Sequence, residues 1–137
     1  MQSKSFVVSL SLVVAALGAS PSAHAHHAFA ANFDANRPVR FDAVITKMEW
    51  INPHAWITVE VTNDDGTVEE WMIEAGSPNM LFRRGINQNT VQPGMRVIVD
   101  GYQARNGARR ANGRDLTLPD GTKLFLSGAP DAPDAPP

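Results

Sequence analysis

Three of the four histidines fall in the stretch Ala23-His24-Ala25-His26-His27-Ala28-Phe29-Ala30, and the fourth, His54, lies in Trp50-Ile51-Asn52-Pro53-His54-Ala55-Trp56. Imidazole nitrogen suits first-row transition metals. A cut after Ala25 would make His26 the terminal residue, so that its free α-amine and its ring nitrogen chelate one ion. A third nitrogen, from His27 or His54, completes a T-shaped set suited to copper(II), which prefers tetragonal geometry. The amine has a reference pKa of about 7.7–8.0, so copper displaces a proton near neutral pH and binding weakens on acidification. A cut after Ala23 would instead place His26 third, where an amino-terminal tripeptide wraps copper(II) or nickel(II) through its amine and backbone amides; Pro21 disfavours that cut. The plain alternative is that His26 and His27 are solvated and that His54 hydrogen-bonds within its turn.

Trp50, Asn52 and Trp56 form a second candidate site. Trp56 falls on the strand face opposite Ile57 and Val59, where an exposed indole stacks on a ligand; otherwise both indoles close the ends of a small core. Arg105, Arg109, Arg110 and Arg114 make the basic cluster, read as a solvated loop. Catalysis has little support. The chain has no GxSxG, no HExxH and no phosphate-cradling glycine loop, and its lack of cysteine excludes disulfides, thiolate nucleophiles and sulfur-ligated zinc. Glu69 and Glu70 point to opposite strand faces and do not pair as acid and base. Copper redox chemistry at His26 is the one enzymatic route left open. With Lys+Arg 12 against Asp+Glu 14 there is no basic excess of the kind nucleic acid demands.

The amino terminus should set the compartment. Lys4 precedes an apolar, small-residue run from Ser5 to Ala19, Ser20-Pro21-Ser22 breaks it, and Ala23-His24-Ala25 supplies a cleavage site. The run is shorter than the roughly 20 residues of a spanning helix. Residues 1–25 are therefore expected to be a signal peptide, with a periplasmic or secreted product that has no membrane span. Residues 26–38 are read as an arm, 39–128 as one β domain, and 129–137, with prolines, alanines and two aspartates, as a disordered tail.

Within the domain the hydrophobic period is two. Apolar residues run Val39, Phe41, Ala43, Ile45 and then shift to Val44, Met48 and Trp50, the pattern of a long strand that bends through a bulge and serves two partners. Ala55, Ile57, Val59 and Val61 alternate along a second strand, Asn63-Asp64-Asp65-Gly66 turns it, and Trp71, Ile73 and Ala75 mark the return. Ser77-Pro78 caps a short helix that ends near Gly85. Val97 and Val99 mark a fourth strand with a corner at Gly101, and a last hairpin pairs Leu116–Leu118 with Lys123–Leu126. Three strands, a helix and two or three further strands predict an all-β fold, a five-stranded OB-type barrel with one helix between strands 3 and 4. An open antiparallel sandwich is the competitor.

HHAFAANFD, VITKMEWINPHAWITVEV, WMIEAGSPNMLFRRG, VQPGMRVIVDGYQAR and LTLPDGTKLF resemble domain-of-unknown-function family 6152, small exported bacterial proteins. The resemblance implies export and a small β-barrel, and it supplies no activity. It matches at His26, His27, Phe29, Asn52, Pro53, His54 and Trp56. The expected function is binding rather than catalysis, with copper(II) at His26, His27 and His54 as the first reading. The second is metal-independent recognition of a peptide, glycan or envelope protein by the WINPHAW turn and its neighbouring strand face. Oligomeric state and pathway have no signal in the sequence.

Overall fold

The computed structural model describes residues 29–126. The expected signal peptide, His24, His26, His27 and the 129–137 tail lie outside the described residues.

Residues 29–32 are helical and run into β1 (Phe33–Glu49), followed by β2 (Trp56–Thr62), β3 (Val68–Glu74), α1 (Pro78–Arg83), β4 (Arg96–Ala104), β5 (Arg110–Thr117) and β6 (Lys123–Phe125). The all-β expectation holds, and the order of elements is the expected one. β1 changes partner along its length. Its first part pairs antiparallel with β4, from Phe33↔Ala104 to Val44↔Arg96, and its last part with β2, from Val44↔Glu60 to Glu49↔Trp56. A register shift between Ile45 and Lys47 marks the bulge that the slipping hydrophobic pattern predicts.

The β2–β3 hairpin runs from Trp56↔Glu74 to Thr62↔Val68, and Gly66 in its turn has φ 83°. β4 pairs with β5, and β5 pairs in parallel with β3 at Met72↔Arg110, Ile73↔Ala111 and Glu74↔Asn112. The pairings β1–β2–β3–β5–β4–β1 thus return to their start, and short β6 adds to β5. Followed from Glu74 through β2 the circuit meets β1 at Glu49, and through β5 and β4 it meets β1 at Pro38. The two routes thus meet β1 at well-separated positions along the strand.

The inward face of the circuit is the core. Ile45, Ile57, Val59, Ile73, Val99 and Leu116 are almost fully buried there. A smaller cluster of Phe29, Phe33, Tyr102 and Ala104 lies apart from it, with Phe29 edge-on to Tyr102 at 5.8 Å between centroids. The helical turn at 29–32 is held by this cluster and by the Asn32 carbonyl, which accepts from the Arg105 backbone N–H at 2.9 Å. At α1, Ser77 Oγ accepts from the Met80 N–H at 3.3 Å, Pro78 opens the helix and Leu81 is buried beneath it. Ser77→Ala should lower stability by about 1 kcal/mol in urea unfolding, the usual worth of such a cap.

Two expectations change. β1 begins at Phe33 rather than Val39, because Phe33 is buried against Phe29 and Tyr102; the exposed Ala35–Pro38 stretch before Val39 hides the alternation. The stretch 105–114 is not all loop, since β5 starts at Arg110. Its inward positions are Ala111 and Gly113, small because the strands approach closely: a Cβ on Gly113 would lie 2.6 Å from Ile73 Cγ2. Small residues alternating with polar ones carry no hydrophobic period.

Candidate functional site

Cross-strand partners point to the same side of a sheet. Trp56↔Glu74↔Asn112↔Tyr102 is therefore one row of side chains across the outer surface of β2, β3, β5 and β4. His54, just before β2, is brought to this row by the turn at Asn52-Pro53, whose peptide bond is cis, and by the backbone bridge between Ala55 and Ala75. Its Nδ1 lies 3.2 Å from Glu74 Oε1, with the imidazole side chain 45% exposed and the carboxylate 14%. In a neutral ring, a carboxylate beside Nδ1 favours the proton on that nitrogen. That leaves the Nε2 lone pair as the donor, the arrangement that orients histidine ligands in metal sites.

Arg110 closes the other side. Its guanidinium lies 4.8 Å above the Trp56 ring, a cation–π contact. Burial pushes the Glu74 carboxyl above its ordinary value of 4.5, and the charges of His54 and Arg110 draw it back down. With a folded-state pKa above the unfolded one, Glu74 favours folding fully below about pH 4.5, and this contribution is lost as pH rises through the raised value.

The structure sorts the expected site residues. His54 and Trp56 share the row with Glu74. Trp50 does not join them: it stacks on Phe82 of α1, centroids 5.2 Å apart at 16°. Asn52 is exposed at the turn. Of the arginines, Arg105 and Arg109 lie in an exposed loop as expected, whereas Arg110 and Arg114 belong to β5, and all four have partners. Arg109 pairs with Glu69 at 2.9 Å, Arg110 covers Trp56, Arg114 pairs with Asp115 at 2.7 Å, and Arg105 donates to the Ala30 carbonyl. Among the described residues no three of His, Asp and Glu come together as a metal site. A site built on His54 therefore needs donors from beyond them. Sequence reading missed Glu74, Asn112 and Tyr102, because the row depends on the parallel β3–β5 pairing, which nothing local encodes. Two shallow clefts, one beside Asp42, Arg96 and Thr117 and one beside Arg40, Asp100 and Arg114, include none of His54, Glu74 and Trp56.

A small all-β domain with a histidine–carboxylate pair on its outer surface is the class these features define. Residues 13–113 match the model of a family of unknown function, DUF6152, and the chain belongs to that family. The match ends within β5, so the LTLPDGTKLF hairpin lies beyond it. No curated protein and no solved structure matches the chain.

Proposed function

We propose that this chain is an exported OB-type barrel of the periplasm that binds copper(II) rather than catalysing a reaction. The barrel reading is supported by the closed circuit of five strands, the long bent β1 and the helix between β3 and β4. The metal reading rests on His26 being the first residue after cleavage: its amine and imidazole supply two nitrogens, and His54 Nε2, steadied by Glu74, supplies the third.

One observation carries the assignment of His54. Phe29 packs on Tyr102, in the same outer row as Glu74. Two strand spacings, roughly 10 Å, separate Tyr102 from Glu74. Three residue-to-residue steps lead from His26 to Phe29, and extended chain covers roughly 10 Å in that length. That length matches the gap from Phe29 to the His54–Glu74 pair, which supports His54 over a donor elsewhere on the barrel. The test is titration of copper(II) into the secreted form after its first residue has been confirmed by mass. One ion per chain with a dissociation constant below about 1 µM is expected, weakening as the amine protonates. Weaker or non-stoichiometric binding removes the reading.

A metal-independent role in binding an envelope partner draws on a different observation. Ile51 and Phe82 are large apolar residues that remain exposed beside Trp50. The strand face at Trp56 is less suited to that role, because Arg110 already occupies the indole.

A further inference from the structure

The larger of the two clefts lies away from the histidine row, and its residues take no part in the proposed copper site. Asp42, Ile98 and Thr117 are cross-strand partners on β1, β4 and β5, so they form one row on the outer surface, and Arg96, two positions from Ile98, faces the same way. The cleft over this row has a volume of about 290 Å³, just below the roughly 300–1,000 Å³ of drug-sized sites, which suits a smaller molecule. Ile98, Leu118 and Pro119 give it an apolar lining. The β5–β6 turn fixes part of that lining: the Leu118 N–H donates to the Thr122 carbonyl at 2.8 Å, and the Gly121 N–H to the Leu118 carbonyl at 2.9 Å.

The chain leaves two features of this cleft incomplete. First, Arg96 Nη1 stands 3.6 Å from Asp42 Oδ1, beyond the roughly 2.7–2.9 Å of a charge-assisted hydrogen bond, with the side chains 73% and 59% exposed. Such a pair contributes little to the fold. Both residues also line a smaller hollow of about 130 Å³ beside Glu60 and Thr62, so open space flanks the pair and the two side chains can part. Second, Thr117 Oγ1 is buried with no hydrogen-bond partner among the described residues, although buried hydroxyls ordinarily find one. Thr117 as a whole is half-buried, and turning about χ1 exchanges its hydroxyl with its methyl group, which brings the hydroxyl to the cleft.

We propose that this cleft binds a free α-amino acid whose aliphatic side chain ends in a neutral polar group, as in glutamine. The ammonium goes to Asp42 and the α-carboxylate to Arg96, so that two charge-assisted hydrogen bonds replace one long contact. The methylenes lie on Ile98, Leu118 and Pro119, and the terminal carboxamide supplies the partner that Thr117 Oγ1 lacks. Two strand spacings, roughly 10 Å, separate Asp42 from Thr117. A glutamine extended between those side chains fits that span, whereas glycine or alanine would not reach Thr117. A residue at either end of a peptide lacks one of the two charges, which favours the free amino acid.

The test is titration of L-glutamine into the isotope-labelled secreted protein, with a chelator present to keep out copper, which amino acids themselves bind. Saturable amide shifts are expected at residues 42, 96–98, 117 and 118, with a dissociation constant of about 1 mM or below and the 63–66 hairpin turn unmoved. N-acetyl-L-glutamine and L-glutaminamide each keep one charge and stand for the carboxyl- and amino-terminal residues of a peptide. Both should bind at least about 10-fold more weakly, as should L-glutamine to Asp42→Asn and to Arg96→Gln, whose exposed positions leave the fold intact. Thr117→Val should weaken L-glutamine by about three-fold or more yet leave L-norvaline, which ends in a methyl group, unchanged. No saturable shift with L-glutamine, equal binding of either blocked form, unchanged binding by Asp42→Asn or Arg96→Gln, or an equal loss for both ligands in Thr117→Val overturns the proposal.

Discussion

A protein carrying one additional residue before His26 is expected to bind copper(II) at least about 100-fold more weakly than one that begins at His26. The extra residue leaves every side chain in place but moves the free amine off His26, so the amine and imidazole no longer close one chelate ring. That loss is expected to exceed the 10–100-fold usual for removing a partner of a metal ligand. In the proposed site Glu74 would be such a partner. Glu74→Gln should weaken copper by about 10–100-fold, since its carboxylate, 3.2 Å from Nδ1, would orient the His54 ring.

The same substitution has an opposite signature in stability, which separates a metal role from a structural one. Burial disfavours the ionised Glu74, so the parent should lose stability as pH rises from about 4.5 through the raised folded value, and Glu74→Gln should lack that slope. Isothermal titration and urea unfolding across pH read the two effects separately. If His54→Ala and Glu74→Gln both leave copper affinity unchanged while the extension abolishes it, the third nitrogen belongs to His27.

The second large effect concerns closure of the sheet. Gly101→Ala is expected to cost about 3 kcal/mol, near the upper end for forced overpacking. A Cβ on Gly101 would lie 2.3 Å from the Asn112 carbonyl oxygen and 3.1 Å from its carbon. Both are backbone atoms of the partner strand, so neither can turn aside as a side chain would, and β4 and β5 must move apart where Tyr102↔Asn112 holds the outer row. For a domain of this size that cost lowers the melting temperature by roughly 12–24 °C. Gly121→Ala is the comparison. Gly121 has φ 86° and nothing within 4 Å of an added carbon, so it should cost only about 1–2 kcal/mol, from backbone strain alone.

What the sequence made legible follows from how local each signal is. Asn63-Asp64-Asp65-Gly66 and Ser77-Pro78 hold their geometry within a few residues, and both elements lie where their residues predict. The bulge near Ile45 showed because a one-residue slip moves the apolar side chains to the other face. β5 was partly hidden because close approach to Ile73 and to Gly101 requires Gly113, and Ala111 is small, where larger apolar residues would mark a strand. The site divided along the same line. His54 and Trp56 could be picked out by residue type and setting, whereas Glu74 resembled any outward strand carboxylate until the β2–β3 register set it opposite Trp56. Arg110 and Asn112 joined it only through a pairing between residues nearly forty positions apart.

That distant pairing also sets the order in which the domain can assemble. The first three strands make contacts local in sequence, yet none of them forms an enclosed core, because β3 keeps an open edge until residues 110–112 arrive. Under the proposed export, a chain crossing a membrane amino terminus first would expose most of its strand-forming residues before the last seam could be sewn. Folding dominated by such long-range closure is slow compared with helix-rich domains of the same size. Slowness of that kind keeps a chain threadable through a narrow pore while its other end is still being delivered.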